Sequence, residues 1–144
     1  MKPKGSHGCL FSSLPPVARY PDISIDLSLN RIHLLSHLPT SRQPTCHIAG
    51  TNGKGVSALL SSILQASSPP LSVGRFNSPH LLSLRDSIVI DSRPIAVDVY
   101  DQVRGEVERL DQELGAQATE FGVLTSTAMM VFERLKLDIM VMEV

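Results

Sequence analysis

From Thr45 to Ser57 the chain reads Thr-Cys-His-Ile-Ala-Gly-Thr-Asn-Gly-Lys-Gly-Val-Ser, three glycines set around one lysine. An apolar run (Cys46 to Ala49) precedes them and a helical pattern follows, so the stretch reads as strand, tight loop and helix N-terminus. Glycines 50, 53 and 55 let the backbone take positive φ and approach a ligand closely. Amide N–H groups that converge at a helix N-terminus, with the positive end of the dipole behind them, attract an anion. Lys54 adds a mobile point charge of the kind that meets a β- or γ-phosphate. Gly50, Thr51, Asn52, Gly53, Lys54, Gly55, Val56 and Ser57 are therefore the expected nucleotide-binding segment. The common G-x-x-x-x-G-K-[ST] loop is not met, because Ile48 stands in place of its first glycine and Gly55 follows the lysine.

Two more groups could reach such a phosphate. Leu71 to Phe76 reads as a strand and Asn77-Ser78-Pro79-His80 as the loop at its carboxyl end. Ligands of open α/β sheets sit at the carboxyl ends of the strands, which makes Ser78 and His80 candidates. Asp138 to Val144 is an apolar run broken by Glu143 and reads as a buried parallel strand. A glutamate that ends a strand beside a phosphate loop reaches magnesium directly or through water. Left unpaired inside a sheet it would cost several kcal/mol. No helix or turn signal follows Glu143, so the chain reads as cut there.

The elements that must position these groups follow from period and punctuation. Residues 1–21 hold prolines at 3, 15, 16 and 21 and show no period, which predicts a flexible lead-in. From residue 22 the pattern is that of a folded domain, opening with a helix over Asp22–Leu38 that Asp26 caps and Pro39 stops. Val56, Leu59, Leu60, Ile63 and Leu64 fall on one helical face, expected to pack on the sheet. Ser87 to Asp91 predicts a small strand and residues 91–94 a turn. Tyr100, Val103, Val107, Leu110 and Leu114 make the apolar stripe of the next helix. Its Arg104–Glu108 and Arg109–Glu113 pairs are expected to be a solvated face. Glu120 to Leu135 predicts a mostly apolar helix with Met129 and Met130 as core filler. The fold class is α/β, a three-layer arrangement around a parallel sheet with a P-loop-like nucleotide site.

Composition excludes several classes. Thirteen basic against fourteen acidic residues leave a net charge of −1, and no basic block suggests a nucleic-acid surface. No apolar run is long enough for a membrane span. Cys9 and Cys46 lie far apart, as in a reducing compartment, so cytosol is the expected location. A mitochondrial location is the alternative, since the first 21 residues carry Lys2, Lys4 and Arg19 and no acid.

Taken together these stretches resemble the folylpolyglutamate synthase/dihydrofolate synthase family of Mur-ligase-like enzymes, and Arg75 to Leu81 is most similar to the fungal dihydrofolate synthase version. Residues 25–32 (I-D-L-S-L-N-R-I) are similar to the family's I-D-L-G-L-x-R-[IV], with Ser28 in place of the glycine. His47 to Gly55 is similar to H-[VI]-A-G-T-N-G-K-G, and Ser78 to Leu81 to S-P-H-L with Arg85 following. Thr119-Glu120-Phe121 is similar to T-x-F, with Gly122 replacing an acid, and Met142-Glu143-Val144 to the opening of [LM]-E-V-G-x-G-G-R. The resemblance implies the N-terminal part of a truncated Mur-ligase central domain over residues 22–144, with a C-terminal domain absent. It implies an ADP-forming ligase in which ATP phosphorylates a pterin-bearing carboxylate and L-glutamate attacks the acyl phosphate. The implied substrates are ATP, dihydropteroate or folate, and glutamate, with Mg²⁺ as cofactor and a monomer as the assembly.

Carried over residue by residue, Lys54 is the catalytic cation on the phosphates, Ser78 and Glu143 are magnesium ligands, and Asp26, Leu27, Thr119, Glu120 and Phe121 line the pteroate site. Asn52 favours dihydrofolate synthase over eukaryotic folylpolyglutamate synthase. The junction from Gly55 to Leu60 is one residue short of the family pattern, a helical rotation of about 100°. That shift is expected to put Val56 where a metal-ligating hydroxyl belongs, while the missing later ligands and C-terminal domain are expected to leave the chain inactive by itself. The competing reading is a non-catalytic nucleotide-binding or interaction module.

Overall fold

The structure, a computed structural model, describes residues 30–35, 43–50, 55–80 and 82–144. The expected lead-in 1–21, most of the helix expected over Asp22–Leu38, Asp26, Leu27 and residues 51–54 with Lys54 lie outside the described residues. In chain order the elements are α1 (Asn30–Leu35), β1 (Thr45–Ile48), α2 (Val56–Gln65), β2 (Val73–Asn77), β3 (Ile88–Ile90), β4 (Arg93–Pro94), α3 (Val97–Leu114), α4 (Glu120–Arg134) and β5 (Ile139–Glu143). A 3₁₀ turn over Leu84–Ser87 precedes β3.

The strands form one five-stranded sheet in the order β1-β5-β2-β3-β4. β5 lies parallel between β1 and β2, with Ile48 and Asn77 both level with Glu143. β2–β3 and β3–β4 are antiparallel, so the sheet is mixed where a parallel one was expected. Two local causes explain the difference. The 78–87 connection is too short for the crossover that parallel neighbours need. Asp91 and Ser92 both take left-handed conformations, φ 46° and 66°, which turn β3 straight back into β4.

Alternation along the strands separates the layers. Phe76, Ile88, Met140 and Met142 point to one face and join Val123, Val131 and Phe132 of α4 in the main core, backed by Val103 and Val107 of α3. Gly74 lies on this face, where a Cβ would stand 2.6 Å from Phe132 Cδ1 and 2.8 Å from Leu137 Cδ1. The methionines behave as core filler, with Met130 buried and Met129 packed against the cluster. Val73, Arg75, Asn77, Val141 and Glu143 point to the opposite face, which α2 covers. The three layers are therefore as expected.

The orientation of α2 is not as expected. Ser57 and Ser61 are its buried residues, at 1% and 4% exposure, whereas Val56, Leu59 and Ile63 are 50%, 63% and 59% exposed. The helix turns its hydroxyl side to the sheet because that face of the sheet ends in polar groups, Glu143 above all. Ser61 Oγ meets its need locally by donating to the Ser57 carbonyl at 2.7 Å.

Opposite the site, Asp138 ties the starts of β2 and β5 together. Its Oδ2 accepts from Ser72 N at 2.8 Å and from Ser72 Oγ at 2.7 Å. The Ser72 backbone bond, then its hydroxyl, hold the Asp138 pKa below the ordinary 3.8. A group whose folded pKa is lowered gives its stability above the unfolded value and loses it as pH falls through the folded one. Thermal melts should therefore drop between pH 4 and pH 2 by less in Asp138→Asn than in the parent, a small effect because the carboxylate is exposed. Identical pH profiles would remove Asp138 from the acid transition. Among the described residues, no helix is long and apolar enough to cross a membrane.

Candidate active site

The parallel register brings three strand ends side by side, at Ile48, Glu143 and Asn77. Backbone bonds hold the loops that leave them, since Ser78 N donates to Glu143 O at 3.1 Å and Val144 N to Ile48 O at 3.0 Å. Over these ends lies a pocket of about 300 Å³ lined by Gly55, Ser57, Arg75, Asn77, Ser78, His80 and Glu143. Gly55 opens α2 at φ 122° with nothing within 4 Å of where a Cβ would be, so the backbone conformation and not space requires glycine.

Glu143 is 8% exposed, a buried carboxylate at the end of a central strand. The Ser57 hydroxyl donates to its Oε2. Glu143 lines the pocket. Ser57, from the first turn of α2, thus sets a hydroxyl against the Glu143 carboxylate. Val56, placed in that slot by the sequence, points away into solvent. Asn77, level with Glu143 on the next strand, has its Oδ1 buried with no partner among the described residues.

This donor set suits a hard divalent cation. Mg²⁺ takes one or two carboxylates and completes its shell with hydroxyl, water and phosphate oxygens. Glu143, Ser57 and Ser78 offer the first two kinds, and the orphaned Asn77 oxygen can accept from a water of the shell. Among the described residues no group of three His, Cys, Asp or Glu side chains gathers into a self-sufficient metal cage.

The expected pteroate residues stand elsewhere. Thr119 is the N-cap of α4, its Oγ1 accepting from Gly122 N at 3.1 Å. Glu120 takes an ion pair from Arg104 at 2.7 Å, and Arg104 also bonds Glu108 at 2.7 Å and the Tyr100 hydroxyl at 3.0 Å. The Arg104 charges thus join α3 to α4, more than the solvated face expected. Phe121 is half exposed, and its ring stands 6.1 Å from that of Phe76. Arg85 donates to the Ile95 carbonyl at 2.9 Å, which braces the β3–β4 hairpin.

Arg75 and Asn77 are pocket residues that the sequence reading did not single out. The signal was available, because they alternate along β2 on the face that Glu143 shares.

Against models of protein families the chain finds no match. Among individual proteins, dihydrofolate synthetase of Saccharomyces cerevisiae is 41% identical over 126 residues, 85% of this chain and 29% of its own length. The chain is a homologue of the dihydrofolate and folylpolyglutamate synthases. It spans about 29% of the length of that synthetase. Among solved structures, a Mycobacterium tuberculosis folylpolyglutamate synthase complexed with ADP and AMPPCP shares the fold at a TM-score of 0.70 and 37% identity, over 81% of this chain and 28% of that one. A bifunctional folylpolyglutamate synthase/dihydrofolate synthase of Yersinia pestis complexed with AMPPNP and Mn ion gives a TM-score of 0.71 at 25% identity, over 88% and 31%.

Proposed function

We propose that residues 22–144 are part of the ATP-binding domain of an ADP-forming acid–amino-acid ligase, of the dihydrofolate synthase kind. The observation that carries this reading is the buried Glu143 carboxylate, bonded by Ser57 and lining a pocket at the strand ends. In this reading ATP phosphorylates the carboxylate of dihydropteroate, and the amine of L-glutamate displaces phosphate to leave an amide. Such chemistry needs positioning and charge neutralisation more than covalent participation by the protein.

Each residue then has a part. The amides and side chains of residues 50–57 hold the phosphates, with Lys54 neutralising them. Glu143 and Ser78 hold Mg²⁺, and Ser57 orients the Glu143 carboxylate. The metal, when bound, draws charge from the phosphate oxygens. Asp26, Leu27, Thr119, Glu120 and Phe121 border the pteroate in this reading. The identity to a protein named dihydrofolate synthetase favours dihydropteroate over folylpolyglutamate as the acceptor. A monomer acting in the cytosol fits the reading.

The 144-residue chain by itself is expected to bind Mg·ATP and to make no dihydrofolate. Calorimetry should show saturable Mg·ATP binding that EDTA abolishes. Replacing the matching stretch of the S. cerevisiae synthetase with these residues should retain dihydrofolate formation from dihydropteroate, ATP and glutamate. Absence of metal-dependent nucleotide binding would overturn the reading, and a chimera that binds nucleotide without forming product would mark a non-catalytic module.

A further inference from the structure

A second pocket, of about 240 Å³, lies deeper between α2 and the sheet. Its polar side is formed by Arg75, Gln65 and Ser92, its apolar side by Ala58, Val73 and Val89. The Arg75 side chain has no ion pair or hydrogen bond among the described residues, although the residue sits mid-strand between Val89 and Val141. Gln65 uses one end of its amide, Oε1 accepting from Ser92 Oγ at 2.8 Å. The other end, Nε2, is buried with no partner among the described residues. A guanidinium and an amide, both unsatisfied among the described residues, thus line one partly enclosed space into which no carboxylate of those residues reaches.

We propose that this pocket binds a small monocarboxylate, distinct from the nucleotide site at the strand ends. The planar guanidinium matches a carboxylate with two parallel hydrogen bonds, and the Gln65 amide adds a third. Ala58, Val73 and Val89 receive a short hydrocarbon tail, the usual division of labour in a ligand pocket. A single guanidinium balances one negative charge. Gln65 ends α2, and the negative end of the helix dipole there opposes a dianion such as phosphate. Arg75 lies along the edge that the two pockets share.

The test is an NMR titration of the 144-residue chain with propionate at constant ionic strength, with inorganic phosphate and chloride as parallel arms. Propionate should give saturable shifts at the Gln65 side-chain amide and at the Arg75 guanidinium, and phosphate should give none at Gln65. Gln65→Glu puts an internal carboxylate beside Arg75 and should weaken propionate at least tenfold. It lies at the half-exposed end of α2, so the fold survives, and Mg·ATP binding should persist because Gln65 does not line the upper pocket. Arg75→Met should abolish propionate binding. Unsaturable shifts, equal affinity in Gln65→Glu, or equal response to phosphate would each overturn the proposal.

Discussion

Glu143→Gln should raise the melting temperature of the ligand-free chain while removing its response to Mg·ATP. The glutamine keeps the shape and can still accept the Ser57 hydroxyl that now bonds Oε2. What it removes is a charge held at 8% exposure and bonded, among the described residues, by one hydroxyl. Burying a charge that thinly compensated opposes folding, so the amide is the more stable occupant until a cation arrives. The same change deprives Mg²⁺ of its one carboxylate in this pocket. A hydrogen bond or contact to a charged group is worth about 1.5–3 kcal/mol, which corresponds to roughly a ten- to hundredfold loss in Mg·ATP affinity. Melts in EDTA and in Mg·ATP, with calorimetry beside them, read both halves. Unchanged Mg·ATP affinity would remove Glu143 from the metal site, whatever the melt shows.

Gly74→Ala should be strongly destabilising for its size. The added Cβ would stand 2.6 and 2.7 Å from Phe132 Cδ1 and Cγ and 2.8 Å from Leu137 Cδ1, closer than real Cβ atoms come. Phe132 has 0% exposure and sits in the core between α4 and the sheet, so it cannot swing into solvent. Overpacking of this kind costs about 1–3 kcal/mol. Phe132→Leu, costly alone, opens room at the same place. Gly74→Ala combined with Phe132→Leu should therefore lose less than the sum of the singles, by about 1 kcal/mol. Urea denaturation of the four proteins measures it, and strict additivity would mean that the sheet moves instead of the ring.

Strand positions were legible because apolar runs bounded by turn residues leave little choice. The expected strands 45–49, 72–76 and 138–144 each fall within a residue or two of β1, β2 and β5. Ser78 and Glu143 also meet as expected, since ligand groups at the carboxyl ends of parallel neighbours are brought together by register alone. The face of α2 was not legible. Periodicity identifies an apolar stripe and not what lies against it, and here the sheet offers a carboxylate that a serine satisfies better than a valine. Thr119 shows a different limit. The family motif gave it no capping role, and the structure adds one in the 3.1 Å bond that its Oγ1 accepts from Gly122 N. Arg75 was passed over as one charge inside an apolar run, although two pockets depend on it.

The strand order has a consequence for how the chain is made. β5 stands between β1 and β2, yet it is the last described strand to leave the ribosome. Until Ile139–Glu143 emerge, β1 has no partner and β2 has only the hairpin strand β3. Translation at about 5–20 residues per second leaves those edges open for several seconds after β1 is complete. Helices α3 and α4, whose contacts are local, can form in that interval, while the pairings that join distant parts of the chain come last. A nascent chain arrested before residue 139 should therefore be helical, protease-sensitive at β1 and unable to hold nucleotide. Both the sheet and the pocket over it close in one late event, when the strand carrying Glu143 slides between its neighbours.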